Sequence, residues 1–168
     1  MNRFMMKRAV LTITSLFLLG LFSTLSFAST QGKMNWLLII SAQKGKIEQS
    51  HQKWTLTLKK LNPDVIAFTQ QPYYRFTKFN VKDLANDWKS WFKSSAPNAG
   101  FVHADIKANE RGVVQPIPVE LGSPTYKNGK LIFPIKPLNK QPMSAQKLED
   151  VYVFVDDVPM GGMLGFGS

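Results

Sequence analysis

The chain has 168 residues, a formal charge of +10 from 21 basic and 11 acidic side chains, and no cysteine. Without thiols there can be no disulfide scaffold, no thiol chemistry and no lipid attached to a cysteine. With four arginines, no run of five basic residues and no aromatic stacking motif, the charge also gives nucleic acid little to recommend it as a partner.

The first segment reads as an address label. "MNRFMMKR" carries Arg3, Lys7 and Arg8 and no acid, an apolar run "AVLTITSLFLLGLF" follows, and "STLSFA" supplies the small residues Ser26 and Ala28. That order is a secretory signal peptide, residues 1–28, with cleavage expected after Ala28. The apolar run, about 14 residues, is short of the roughly 20 a membrane helix needs; an uncleaved anchor is the alternative. The remaining 140 residues suit one domain with its own core. They carry 18 basic residues against 11 acids, or +7, and 16 of the 18 are lysines. Scattered lysines read first as a solvated surface. An anionic surface of lipid or polysaccharide is the other reading.

Residues 29–35 read as a flexible lead, and 36–158 as a single β-rich domain. "WLLIISAQ" (Trp36 to Gln43) is an apolar, β-branched strand, and "KGK" around Gly45 reads as a turn. "KWTLTLKKL" alternates, with Trp54, Leu56 and Leu58 on one face, the period of a half-buried strand. Asn62-Pro63-Asp64 is a turn, so "VIAFTQ" becomes the second arm of a hairpin. The helix, about 80–93, has Asn80 as its cap and Asp83 in its first turn. Val81, Leu84, Ala85, Trp88, Trp91 and Phe92 form its apolar stripe, and "SSAPNAG" ends it. At this spacing the two tryptophans are core residues rather than a ligand platform.

"GFVHADIK" is a further strand, closed by a polar turn at "ANERG". In "VVQPIPVEL", Pro116 and Pro118 lack an N–H on the same side, which places that part at a sheet margin. Asn128-Gly129 marks a two-residue hairpin, so "VELGSPTY" should pair with "KLIFPIK". "KPLNKQPMSAQKLED" reads as a loop, "VYVFVDDV" as the last strand, and 159–168 as a glycine-rich tail. The fold class is therefore mainly β, an antiparallel sandwich or open barrel with one amphipathic helix packed on it.

"AFTQQPYYRF", "SAPNAGF", "PVELGSPTY…GKLIFPIKPL" and "VYVFVD" in this order resemble a family of small exported bacterial proteins of uncharacterised function. In that family a strand ends in Phe-Ser/Thr-Asp-Arg-Pro-x-Arg before a helix that, as here, ends in tryptophan. A Pro-Asn-Ala segment and a Val-x-Glu-Leu…Pro-x-Tyr hairpin follow. The resemblance spans roughly residues 52–156. Phe68, Thr69 and Pro72 match it. Gln70 and Gln71 stand where the family has Asp-Arg, and its later arginine is replaced by Tyr74 or shifted to Arg75. The resemblance implies an exported β architecture and no particular reaction.

Chemistry has few candidates. The histidines are His51 and His103. His103 and Asp105, two apart on a strand, are weak metal candidates, since a metal site needs three or four ligands; they are also the residues a metal-dependent or other hydrolase would use. Asp156 and Asp157 point to opposite faces unless the backbone bulges. No nucleophile elbow or phosphate loop is present, and no cofactor is expected. Phe68, Pro72 and Phe76, with Trp88 and Trp91, are expected to build a structural corner. From it Tyr73, Tyr74 and Arg75 project as a contact patch of the residue types enriched at binding hot spots. The expected function is a non-enzymatic periplasmic or secreted protein that contacts another envelope or secreted protein, such as an accessory to an envelope or secretion machine. The hydrolase and the protein bound to anionic lipid or polysaccharide stand as alternatives.

Overall fold

One long strand, β1 (Trp36–Ser50), organises the molecule. The computed structural model describes residues 35–70, 74–139 and 142–158; the expected signal peptide, most of the lead and the glycine-rich tail lie outside these. After β1 come β2 (Lys53–Leu61), β3 (Asp64–Thr69), β4 (Phe76–Asn80), α1 (Val81–Trp91), β5 (Asn98–Val102), β6 (Ile117–Leu121), β7 (Thr125–Lys127), β8 (Lys130–Pro137) and β9 (Gln146–Val158). All their pairings are antiparallel. Six strands close on themselves in the order β1-β2-β8-β6-β5-β9, giving a barrel. β3 and β4 extend from the start of β1, and β7 pairs with β8. The expected mainly β fold with one packed helix is what forms, and closure makes it a barrel rather than a sandwich.

Alternation builds the interior. Leu38 and Ile40 on β1, Leu56 and Leu58 on β2, Phe133 on β8 and Val153 on β9 are among the fully buried side chains. Burial of each such side chain contributes about 1.5–3 kcal/mol. α1 packs against this core. Asn80 caps it by accepting a hydrogen bond from Lys82 N at 2.9 Å, and Val81, Leu84, Trp88 and Trp91 are its buried stripe. Trp88 meets Phe133 with ring centroids 5.4 Å apart, and Trp91 meets Phe79 edge-on at 5.5 Å. The helix stops at Trp91, two residues before the expected end, where Phe92 N–H bonds to Trp88 O. No helix among the described residues is long and apolar enough to cross a membrane.

Several boundaries differ from the sequence reading. Gly45 is no turn: it lies inside β1, and a Cβ there would stand 2.9 Å from Val151 Cγ2 and 3.3 Å from Leu148 Cβ. The glycine serves close packing. Reversal comes later, at His51 and Gln52, whose φ angles of 47° and 64° form a two-residue turn between the paired Ser50 and Lys53. β2 and β3 do not make a hairpin. They lie one after the other along the same edge of β1, β2 against Ala42–Ser50 and β3 against Trp36–Ile39. Asn62 bridges the junction by donating from its backbone N to Ser41 O at 2.9 Å. β5 starts two residues before the expected strand and stops at Val102, so Asn98 and Ala99 pair instead of ending the helix. β9 takes in "QKLED", expected as loop, because Gln146–Glu149 continue the ladder to β1.

Other expectations hold. Asn128 and Gly129 turn β7 into β8 with φ of 52° and 69°, and Val119–Leu121 and Thr125–Lys127 both pair with β8. The ladder from β6 to β8 begins only after Pro118, so the prolines do sit at its margin. In the "ANERG" turn, Asn109 Oδ1 accepts from Arg111 N and Val113 N at 3.0 and 2.9 Å.

A line of kinks crosses three strands. Gln43 on β1 lies between Lys60 on β2 and Asp150 on β9, and the last two have φ of 52° and 47°. Register is kept on both sides, with Ala42 opposite Leu61 and Val151, and Lys44 opposite Lys59 and Glu149. The inward positions nevertheless step by one residue: buried Ala42 is followed by buried Gly45, Leu58 by half-buried Leu61, and Leu148 by Val151.

Candidate functional site

The corner that follows β3 is held by a threonine. Thr69 is buried; its N–H donates to Arg75 O at 2.9 Å, and its Oγ1 accepts from Arg75 N at 2.9 Å. Between them, Gln71, Pro72 and Tyr73 lie outside the described residues. Tyr74 has a φ of 43°, a left-handed conformation that a bulky residue adopts at a cost. It is 71% exposed, and Phe76 is 66% exposed. Phe76 is thus not the buried anchor that was expected; its position on β4 faces outward. Arg75 and Phe68 are half-buried, while Trp88 and Trp91 are buried.

Register extends this corner into an outer face. Phe76 pairs with Phe68, which pairs with Leu37. In the next row Lys78, Ile66, Ile39 and Phe154 follow one another across β4, β3, β1 and β9. The aliphatic and aromatic members of these rows other than Phe76 are half-buried. β4 has β3 on one side and no strand on the other among the described residues. Arg75 O and Val81 N both bond toward the β3 side, to Thr69 N and Pro63 O. Backbone groups alternate along a strand, so those of Phe76 and Lys78 point to the open edge. Lys78 Nζ lies 2.8 Å from Asp64 Oδ2. That hydrogen bond, then the carboxylate charge, raises the lysine above its ordinary pKa.

A cleft of about 700 Å³ adjoins this face. Trp36 pairs with Val158 and Leu38 with Val155, so Leu37 alone opposes both Asp156 and Asp157. This is a β-bulge, the device that re-aims side chains at barrel rims. Asp157 takes a φ of 62°. Both carboxylates are exposed and line the cleft, together with Gln70, Ser94, Ser95 and Asn98. The bulge therefore overrides simple alternation and brings the two acids to one side. Together these groups can accept hydrogen bonds from a cation or from hydroxyls.

The histidines are placed less productively. His51 sits exposed in the β1–β2 turn, its Nδ1 3.0 Å from Ser50 Oγ. His103 is buried and Asp105 exposed, with Nδ1 to Oδ2 at 3.6 Å, too long for a hydrogen bond. The loop holding them is tied to β9 by Ala104 N donating to Glu149 O at 2.9 Å. Among the described residues no three histidines or carboxylates gather where a metal could sit.

No family model, curated protein or solved structure matches this chain. The geometry has to speak for itself. The register joins Phe76, Phe68, Leu37, Ile39 and Phe154 in one outer face beside exposed Tyr74, leaves Arg75 opposite buried Thr69 on the other side of the sheet, and adds Asp156 with Asp157. The doubled aspartate was visible in the sequence, but the bulge that unites the pair depends on the register against β1.

Proposed function

We propose that this is an exported, non-enzymatic protein that docks another envelope protein by accepting an extended segment of it along the open edge of β4. The observation that carries the reading is the exposure of Tyr74 and Phe76 beside outward-pointing backbone groups. A strand added there gains main-chain hydrogen bonds, and alternate side-chain contacts supply selectivity. The fitting segment places an apolar residue against Phe76 and an acid against Lys78, since opposite charges on facing strands attract. A net charge of +7 on residues 29–168, from 18 basic and 11 acidic side chains, favours an acidic partner as it approaches.

The test uses backbone chemistry. Lys78→Pro removes an N–H that points away from β3, so the β3–β4 ladder keeps its bonds. A photoreactive residue at Phe76 should cross-link one envelope protein in intact cells. That protein's acidic segment should slow hydrogen exchange at Phe76 and Lys78. Lys78→Pro should melt close to the parent and lose the cross-link, whereas Lys78→Ala should keep it. Unprotected β4 amides, or a cross-link that survives the proline, would refute strand addition. Export is checked separately: the protein recovered from the envelope should begin at Ser29.

A further inference from the structure

We infer that the outer wall formed by β9, β1, β2, β8 and β7 is a binding track for a linear anionic polysaccharide. The ladder registers align Glu149, Lys44, Lys59, Lys130 and Lys127 in one cross-strand row. The parallel row two residues along carries Lys147, Lys46, Thr57, Ile132 and Thr125. Six lysines thus stand on one wall. Lys44 is paired with Glu149 at 3.0 Å, and Lys46 is paired with Glu48. Among the described residues Lys59, Lys127, Lys130 and Lys147 have no acid within ion-pair distance.

Like charges set directly opposite on neighbouring strands destabilise a sheet, and here three such pairings run in sequence: Lys44 with Lys59, Lys59 with Lys130, Lys130 with Lys127. Neighbouring strands are about 4.8 Å apart, so the row offers ammonium groups at a regular short interval along a line. A linear chain of acidic sugars likewise carries one carboxylate on every sugar along its length. An anion laid along the row would relieve the repulsion between the lysines. A bilayer is the poorer match. The exposed large hydrophobic residues (Tyr74, Phe76, Val113, Val114, Leu138 and Tyr152) all lie off these rows, and a membrane-surface site would place such groups beside the charges. Single-stranded nucleic acid requires aromatic platforms for its bases, and neither row contains an aromatic side chain.

Calorimetric titration of the protein with polygalacturonate oligomers at low salt tests the assignment. Binding should be measurable and should weaken as salt rises. Lys59→Gln with Lys127→Gln and Lys130→Gln should reduce affinity about tenfold or more, because it removes a local field rather than net charge alone. Lys53→Gln with Lys93→Gln and Lys107→Gln makes the same change in net charge off the rows and should leave most of the affinity. Both variants should melt no lower than the parent. Equal losses in the two variants would reduce the effect to bulk charge. Absence of binding at low salt would overturn the track. So would a row-dependent preference for phosphatidylglycerol vesicles over the oligomers, in favour of a lipid surface.

Discussion

The outer side of β1 changes character at Gln43. Before it, Leu37 and Ile39 face outward among Phe68, Ile66 and Phe154; after it, Lys44 and Lys46 face outward among Lys59 and Lys147. The inner side is apolar along both halves, from Trp36 to Ile47. One strand therefore carries a uniform interior and two exteriors, with the line of Gln43, Lys60 and Asp150 as the border. Packing dictates the inside and leaves the outside free to be specialised, so the two exteriors are where separate binding tasks can sit on one barrel.

The comparison can be broken first at the shared core. Trp88→Ala should cost about 3–5 kcal/mol. Chemical denaturation followed at both exteriors should show them failing in one transition; two transitions would mean that the halves are separate units. Gly45→Val comes next. Its side chain would press on Val151 and Leu148 just past the border, costing about 1–3 kcal/mol, read as a lowered denaturation midpoint with unchanged slope.

Smaller changes sharpen the contrast, because the two exteriors should respond with opposite sign. Lys59→Gln with Lys130→Gln should stabilise the protein by about 0.2–1 kcal/mol through relief of like-charge pairing, seen as a higher melting temperature that converges on the parent at high salt. The smallest effect belongs to Lys78. Asp64 raises its pKa, so the pair stabilises the fold at neutral pH, below the unfolded lysine's pKa, and the contribution fades as pH climbs through the folded value. Lys78→Met should melt slightly below the parent at neutral pH, and the difference should close in strong alkali.

Much of the fold was legible because it is written locally. Asn80 with its helical stripe, the Asn128-Gly129 turn and the alternation from Trp54 to Leu58 each need only a few neighbouring residues. Gly45 misled because a glycine demanded by close packing against Val151 looks the same in sequence as one demanded by a turn. The β2–β3 junction misled because Asn62-Pro63 ends one strand and starts another without saying that both face β1. The candidate surfaces were legible only as composition. Tyr74 and Arg75 were visible as residue types, but the outward turn of Phe76, the joining of Asp156 to Asp157 and the alignment of Lys44, Lys59, Lys130 and Lys127 all depend on which strand lies beside which. That is a long-range property.

The pairing of β1 with β9 also sets the order in which the molecule can be completed. Lys44 finds Glu149 across a separation of 105 residues, and closing so large a loop before its contacts form is slow. Until Gln146–Val158 arrives, β1 has an open flank and the ring cannot shut. Local hairpins such as β1–β2 can form early, but the ring itself shuts only when β9 pairs with both β1 and β5.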